Sequence, residues 1–293
     1  MQTSIDASRR ALAAAAACAV GFGATWLLFV RTSAGQWLDG ELLPRAERGG
    51  YAQPTVLLEP AQLVLNRFGN PLLIGLTVLG LVLGGLLTHR VRAAVAALAL
   101  FGGAVGVAGL AKQVIIRPEL GVVGSSTHNS FPSGHVTAAI ALLLAFLLVV
   151  PARVRWVVAV PGTTGVSVVA AATMIVGWHR FSDVVGSLLL AGAVFFLAAA
   201  GLARWPDKHG EPDPDHSSGT GLLALACGAT LLMMVLLAFA TDAGVPLLAA
   251  TAAVSVLAML LVGAAIHLTR PVDPATGLEN TEPPRAYVHP GRL

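Results

Sequence analysis

Long runs without Asp, Glu, Lys or Arg recur along the chain, separated by short polar stretches. About 20 apolar residues are needed to cross a bilayer as a helix, and eight runs approach or reach that length: 11–30, 71–88, 93–111, 134–150, 157–177, 184–203, 221–241 and 245–268. In lipid such a run must satisfy its own backbone hydrogen bonds, which favours a helix. The pattern predicts an all-α, polytopic membrane bundle of about eight transmembrane helices.

The composition strengthens this prediction. Of 293 residues, 56% are hydrophobic and 11% are charged, whereas soluble domains carry about 25% charged residues. A soluble globular protein is therefore excluded. The net charge of +3 comes from scattered basic residues, so no nucleic-acid surface is indicated. Cys18 and Cys227 both lie in apolar runs and suggest no disulfide framework.

The short loops predict an orientation. Basic residues fall on one side of the predicted bundle, at Arg9, Arg10, Arg90, Arg92, Arg153, Arg155, Arg204, Lys208 and Arg270. By the positive-inside rule this side is cytoplasmic, as are both termini. Abundant Ala, Gly and Arg favour a bacterial source, and thus the bacterial inner membrane. The first run is predicted to be a retained helix, with a cleaved signal peptide as the alternative.

The ionisable residues that are candidates for catalysis or binding lie at the predicted outer ends of the third to sixth runs. Two loops emerge there, separated in the chain by one cytoplasmic hairpin, so they are expected to share one face. They carry Lys112, Arg117, Glu119, His128, His135, His179, Arg180 and Asp183.

The segment FPSGHVT, residues 131–137, predicts a helix start. Ser133 is a natural N-cap, and the free amides around Gly134 and His135 can bind an anion such as phosphate. His135 stands where it can protonate a leaving oxygen. The alternative is an ordinary cap beside an interfacial histidine.

The segment GWHRFSDVV, residues 177–185, places His179 and Asp183 four residues apart. A carboxylate bound to one imidazole nitrogen leaves the other free as a nucleophile or base. Alone, the pair could be a structural hydrogen bond. Convergence with His135, Lys112 and Arg117 favours a catalytic interpretation.

Together these residues resemble the type 2 phosphatidic acid phosphatases (PAP2), the membrane branch of the superfamily that includes vanadium haloperoxidases. The family blocks are KxxxxxxRP, PSGH and SRxxxxxHxxxD. Here PSGH is complete at residues 132–135, the third block retains His179 and Asp183, and the first retains Lys112. The resemblance covers roughly residues 71–203 and implies a six-helix core.

The resemblance implies a metal-independent, cofactor-free reaction. His179 would attack phosphorus to form a phosphohistidine, oriented by Asp183, while His135 protonates the leaving group. Lys112, Ser133 and Gly134 would hold the phosphoryl oxygens.

Two departures from the family pattern affect its arginines. The first-block arginine should stand at position 119, which is Glu119, while the Arg-Pro pair occurs earlier as Arg117-Pro118. We expect a shifted loop that lets Arg117 reach the phosphate. The third-block arginine is replaced by Thr173. Arg180 is a candidate replacement, with snorkelling to headgroups as the alternative.

These inferences predict an integral membrane phosphatase acting on a lipid phosphate or polyprenyl (pyro)phosphate at the outer leaflet. The alternatives are a lipid phosphotransferase that uses the same phosphohistidine, or a noncatalytic lipid-binding or transport protein. His128 is a possible headgroup contact. No nucleic-acid partner is expected, and the oligomeric state is left open.

The predicted organisation has four parts. Residues 1–203 form the six-helix core, with the signature blocks in 112–183. Residues 204–220 are a cytoplasmic linker, 221–268 hold two further transmembrane helices, and 269–293 are a disordered cytoplasmic tail. Within the outer segment 31–70, Pro60 to Phe68 predicts a short interfacial helix.

Overall fold

The structure, a computed structural model, describes residues 2–43, 57–122, 128–151, 154–204 and 244–269. Most of these residues are helical, and there is no strand among them. The predicted run 221–241, the linker 204–220 after Arg204 and the tail from 270 lie outside the described residues. The all-α prediction is confirmed.

The helices follow the apolar runs closely. They are α1 (Gln2–Thr25, continued by a π-helical turn Trp26–Val30), α2 (Ser33–Glu41), α3 (Leu58–Phe68), α4 (Pro71–Leu87), α5 (Val91–Val114), α6 (Gly134–Val149), α7 (Arg155–Ile175), α8 (Phe181–Arg204) and α9 (Gly244–Leu268). The helices extend a few residues beyond several runs, because charged residues at helix ends do not stop a helix.

Several of these helices are long and apolar enough to cross a membrane. Among the described residues five qualify: Ile5–Val30, Val91–Val114, Arg155–Ile175, Phe181–Arg204 and Val245–Leu268. A sixth span is possible if α3 and α4, which meet at 53°, count as one broken span. The chain is therefore a polytopic helical bundle of the multi-pass membrane type.

Helix α6 is the centre of the bundle. It contacts α4, α5, α7, α8 and α9, and nearly all of its side chains from Val136 to Val149 are buried. A helix that is apolar on every side is expected to be buried on every side. At 16 residues it is about 24 Å long, shorter than the about 30 Å of hydrocarbon in a bilayer.

The remaining helices enclose α6 and hold its ends. α1 packs along α8, α9 packs against α7 and α8, and α3 lies against α7. Between α3 and α4 the chain turns at Gly69, and Asn70 caps α4 by accepting the Leu72 N–H at 2.9 Å, with Pro71 at the first helical position. The predicted short helix in the outer segment is thus present and runs directly into α4.

Candidate functional site

The start of α6 is a capped helix N-terminus buried inside the protein. Ser133 is the N-cap and accepts the Val136 N–H through its hydroxyl at 3.4 Å. Phe131, Pro132 and Ser133 are all buried. The first-turn residues Gly134 and His135, which carry the free amides, are half-buried, so the partial positive charge there is less screened than at an exposed helix end.

Contacts with α8 fix this helix start. The Ser133 N–H donates to the Asp183 carbonyl at 3.1 Å, and the Ser187 hydroxyl lies 2.9 Å from the Ser133 carbonyl oxygen. Phe131 packs against Gly186, where a Cβ would overlap its ring. The loop before α6 and the start of α8, distant in sequence, are therefore locked together.

His179 and Asp183 form the hydrogen-bonded pair predicted from their spacing. His179 Nδ1 lies 3.4 Å from Asp183 Oδ2. The same oxygen accepts the Ser130 hydroxyl at 2.5 Å and the Arg180 N–H at 2.9 Å. With Nδ1 directed at the carboxylate, Nε2 is the nitrogen available for chemistry.

A tight turn after α7 presents His179. Gly177 adopts φ +74°, a conformation that side chains with a Cβ rarely adopt. The next two amides, of Trp178 and His179, donate to the Thr173 carbonyl at 3.1 and 3.2 Å. Thr173, at the position of the missing family arginine, is fully buried beneath this turn.

His135 lies close to the His179 turn. Its ring lies against the Trp178 ring with centroids 5.7 Å apart. A Cβ on Gly69, at the bend between α3 and α4, would lie 3.3 Å from His135 Nε2. His135 also interacts electrostatically with His179 and Lys112. The two predicted histidines therefore lie near each other at one end of the bundle.

Three cations lie in this cluster: Lys112 and Arg180 near the histidines, and Arg117 near Arg180 and Asp183. Lys112 Nζ lies 3.7 Å from the position of a Cβ on Gly134, and the amide of Asn129 donates to the Lys112 carbonyl at 3.3 Å. The Arg180 guanidinium donates to the Ser130 hydroxyl at 3.3 Å. The Arg180 side chain is thus directed at the loop before PSGH, where Ser130 binds Asp183.

Arg117 is the most deeply buried of the three cations. Its residue is 3% exposed, and its Nε and Nη2 donate to no acceptor among the described residues. Burial, and after it the charge of Arg180, lowers the pKa of the guanidinium, while Asp39 and Asp183 oppose this. Arginine nevertheless stays charged in proteins, so the site holds a buried cation with free donors.

Helix α2 supplies residues that the sequence analysis did not identify. Asp39 is fully buried and accepts the Ser182 N–H at 3.0 Å and the Ser182 hydroxyl at 2.6 Å. Burial raises the pKa of Asp39 to about 6, with Ser182 opposing the shift and Asp183 adding to it. Gln36, one turn earlier, donates to the Pro118 carbonyl at 2.9 Å. The missed signal was a pair of polar residues on one face of a short helix capped by Thr32.

His128 differs from the other candidates because its side chain is exposed at the end of the loop before PSGH. Within the described parts of the chain, no group of three or more His, Cys, Asp or Glu side chains is arranged to hold a metal ion. What the cluster offers is a buried helix N-terminus, two imidazoles and three cations. Such a set can bind a phosphoryl group and move protons around it.

The comparison with protein families agrees with this chemistry. The family model described as PAP2 superfamily matches residues 101–207, which include all three signature blocks, as the resemblance implied. The match indicates phosphatase-type activity on phosphate esters. No curated protein and no solved structure shows significant similarity to the chain.

Proposed function

Because residues 101–207 match the PAP2 superfamily, we propose that the chain hydrolyses a membrane lipid phosphate or polyprenyl (pyro)phosphate at the outer leaflet through a phosphohistidine. The observation that carries the proposal is that His135 and His179 lie close together. They come from separate turns, yet the His135 ring contacts Trp178, the neighbour of His179. Lys112, Arg117 and Arg180 lie around them.

The first step of the proposed reaction is attack by His179 Nε2 on phosphorus. The bond between phosphorus and the leaving oxygen breaks, and His135 donates a proton to that oxygen. Asp183 holds the imidazole and stabilises its positive charge. The cations and the α6 amides bind the phosphoryl oxygens, so positioning and charge stabilisation supply most of the rate.

The second step releases phosphate. His135, now neutral, accepts a proton from water as the water oxygen attacks the phosphohistidine. The bond between phosphorus and Nε2 breaks and His179 is regenerated. No step calls for a metal ion, so we expect EDTA to leave the rate unchanged.

An apolar groove supports a lipid as the substrate. It has a volume of about 690 Å³ and lies between α3, α4, α6 and α7. On α6 it is lined by Ala139, Leu142 and Phe146, which continue the helix face that begins at His135. A tail in this groove would place the leaving oxygen beside His135 and leave the other side of phosphorus to His179.

The decisive assay measures phosphate release by the purified chain in nanodiscs. The substrates are phosphatidate, phosphatidylglycerophosphate, a sphingoid phosphate, prenyl diphosphates and the water-soluble p-nitrophenyl phosphate. We expect release from at least one lipid, inhibition by vanadate, and a loss of kcat of more than about 10³-fold in His179→Ala, as for other nucleophile deletions. Turnover retained by His179→Ala would remove the phosphohistidine from the proposal.

The groove is tested by filling it. Gly165 lines the groove, and the Cβ that Gly165→Leu adds there meets no other atom within 4 Å. We expect KM to rise roughly tenfold for long-chain lipids, since the tail would bury about two fewer methylenes at about 0.8 kcal/mol each, and to stay unchanged for p-nitrophenyl phosphate. Gly106→Leu, at an exposed open position on α5, is the matched control.

Adding an alcohol acceptor separates hydrolysis from transfer. Formation of a phosphorylated alcohol without free phosphate would identify a phosphotransferase. Neither product from any substrate would indicate a noncatalytic protein.

A further inference from the structure

Helix α2 carries a buried carboxylate, Asp39. Gln36 and Asp39 lie one turn apart on the same face of α2, and both are buried. Asp39 is bound to Ser182 at the start of α8, and Gln36 is bound to the carbonyls of Val30 and Pro118. Through these two residues, α2 is attached both to the start of α8 and to the Arg117-Pro118 loop.

Asp39 also faces Arg117. Its Oδ2 lies 3.9 Å from Arg117 Nη1, and both side chains are almost completely buried. The opposite edge of the guanidinium, made by Nε and Nη2, has no acceptor among the described residues. These two N–H groups are parallel, and that edge of an arginine binds two oxygens of a phosphate or carboxylate at once.

Because of its shifted position in the sequence, the Arg117 side chain needs a contact that fixes its orientation. It stands two residues before the position expected for the family arginine, and it is repelled by Arg180. A carboxylate on one edge of the guanidinium offsets that repulsion and limits its rotation. Buried charges of this kind are held by a partner of opposite sign.

We propose that Asp39 is a positioning residue that holds Arg117 by its Nη1 edge, so that the Nε and Nη2 edge binds a phosphoryl oxygen pair of the substrate. This proposal rests on the proposed function. Asp39 itself does not touch the phosphate. Its contribution passes through Arg117, and Gln36 fixes the same loop through Pro118.

The test measures binding of inorganic phosphate to the purified, detergent-solubilised chain by isothermal titration calorimetry. The variants are Asp39→Asn, Arg117→Ala and the double variant. Asn keeps one oxygen, which can accept one of the two Ser182 hydrogen bonds, and loses the charge. Glu41→Gln, an exposed carboxylate on the same helix, is the matched control and should bind phosphate like the unaltered chain.

We expect Asp39→Asn to weaken phosphate binding roughly tenfold, within the usual range for coupled neighbours. In the Arg117→Ala background the same change should have little further effect. An equal loss of affinity in both backgrounds would overturn the positioning role and leave the proposed function intact. Phosphate binding that depends on both residues, without hydrolysis of any ester, would support the positioning role while refuting the phosphatase.

Ser182→Ala provides a second route if Asp39→Asn does not fold. It removes one hydroxyl from Asp39 and keeps the carboxylate charge. We expect a smaller loss of phosphate affinity that again disappears in the Arg117→Ala background. Unchanged affinity in Ser182→Ala, or a loss of the same size with and without Arg117, would overturn the proposal.

Discussion

The two ends of α6 are both surrounded by arginines, and they use them in different ways. At the Val150 end, Arg90 Nη1 donates to the carbonyls of Val149 and Val150 at 3.2 and 3.0 Å. Arg155 donates to the Val150 carbonyl and to Thr269. These arginines satisfy carbonyls left free at the helix C-terminus and complement the helix dipole.

At the Gly134 end the pattern is reversed. Arg117 is buried, yet its Nε and Nη2 have no acceptor among the described residues, and Asp183 Oδ1 likewise has no donor there. A buried donor without a partner costs about 1–3 kcal/mol, so folding alone does not favour this arrangement. The arginines at the Val150 end therefore stabilise the bundle, whereas Arg117 at the Gly134 end keeps the donors to which we propose the phosphate binds.

We expect the largest effect when one arginine is removed from each end of α6. Arg117→Ala should lower kcat/KM about 10²-fold, the scale for losing a donor to transition-state charge, with little change in thermal stability. Arg155→Ala should leave phosphate affinity unchanged and cost about 1–3 kcal/mol of stability, because buried carbonyls lose their donors. For each variant, phosphate-release kinetics measure the activity and thermal unfolding in detergent measures the stability. Similar stability losses with no difference in kinetics would contradict the distinction.

A smaller effect is expected from restoring the family arginine. Thr173 is fully buried, its hydroxyl donates to the Ala170 carbonyl at 2.8 Å, and its own carbonyl holds the His179 turn. Thr173→Arg should therefore lower stability by about 1–3 kcal/mol, as overpacking does, without raising kcat. Thr173→Val, of similar size, is the control. A higher rate in Thr173→Arg would show that Arg117 and Arg180 do not replace the missing charge.

A further test varies the solution pH and follows the titration of Asp39, near the Gly134 end of α6. Burial raises the pKa of Asp39 to about 6, so the folded state takes up this proton more readily than the unfolded chain. The stability that Asp39 contributes is present below about pH 4 and is lost as pH rises through about 6, up to about 3 kcal/mol. Arg117 and Asp183 are the charged groups that act on it.

The difference between the unaltered chain and Asp39→Asn isolates this titration from that of the histidines. The unaltered chain should lose thermal stability relative to Asp39→Asn between pH 4 and 6. Phosphate affinity should change in the opposite sense, rising as Asp39 becomes charged and holds Arg117. Parallel pH profiles for the two proteins would argue against a titrating Asp39.

The sequence was informative where the physics is local. Apolar runs predict helices because lipid offers the backbone no other partner. The Ser133 cap and the His179 and Asp183 spacing follow from contacts within one helical turn, and the structure places all three where the pattern predicted. The family blocks added order and sidedness, and the PAP2 superfamily match over 101–207 agrees with them.

The parts that the sequence did not indicate depend on contacts between distant segments. Helix α2 carries polar residues, so it forms no apolar run, and Asp39 meets Ser182 across 143 positions of the chain. The groove requires four helices to pack, and the free edge of Arg117 is defined only once Asp39 occupies the other edge. The sequence alone predicted a membrane bundle, the Ser133 cap at a helix start and the pairing of His179 with Asp183. Only the tertiary structure decided which buried charges are neutralised and which remain open, because that balance depends on how far apart folded segments come to lie.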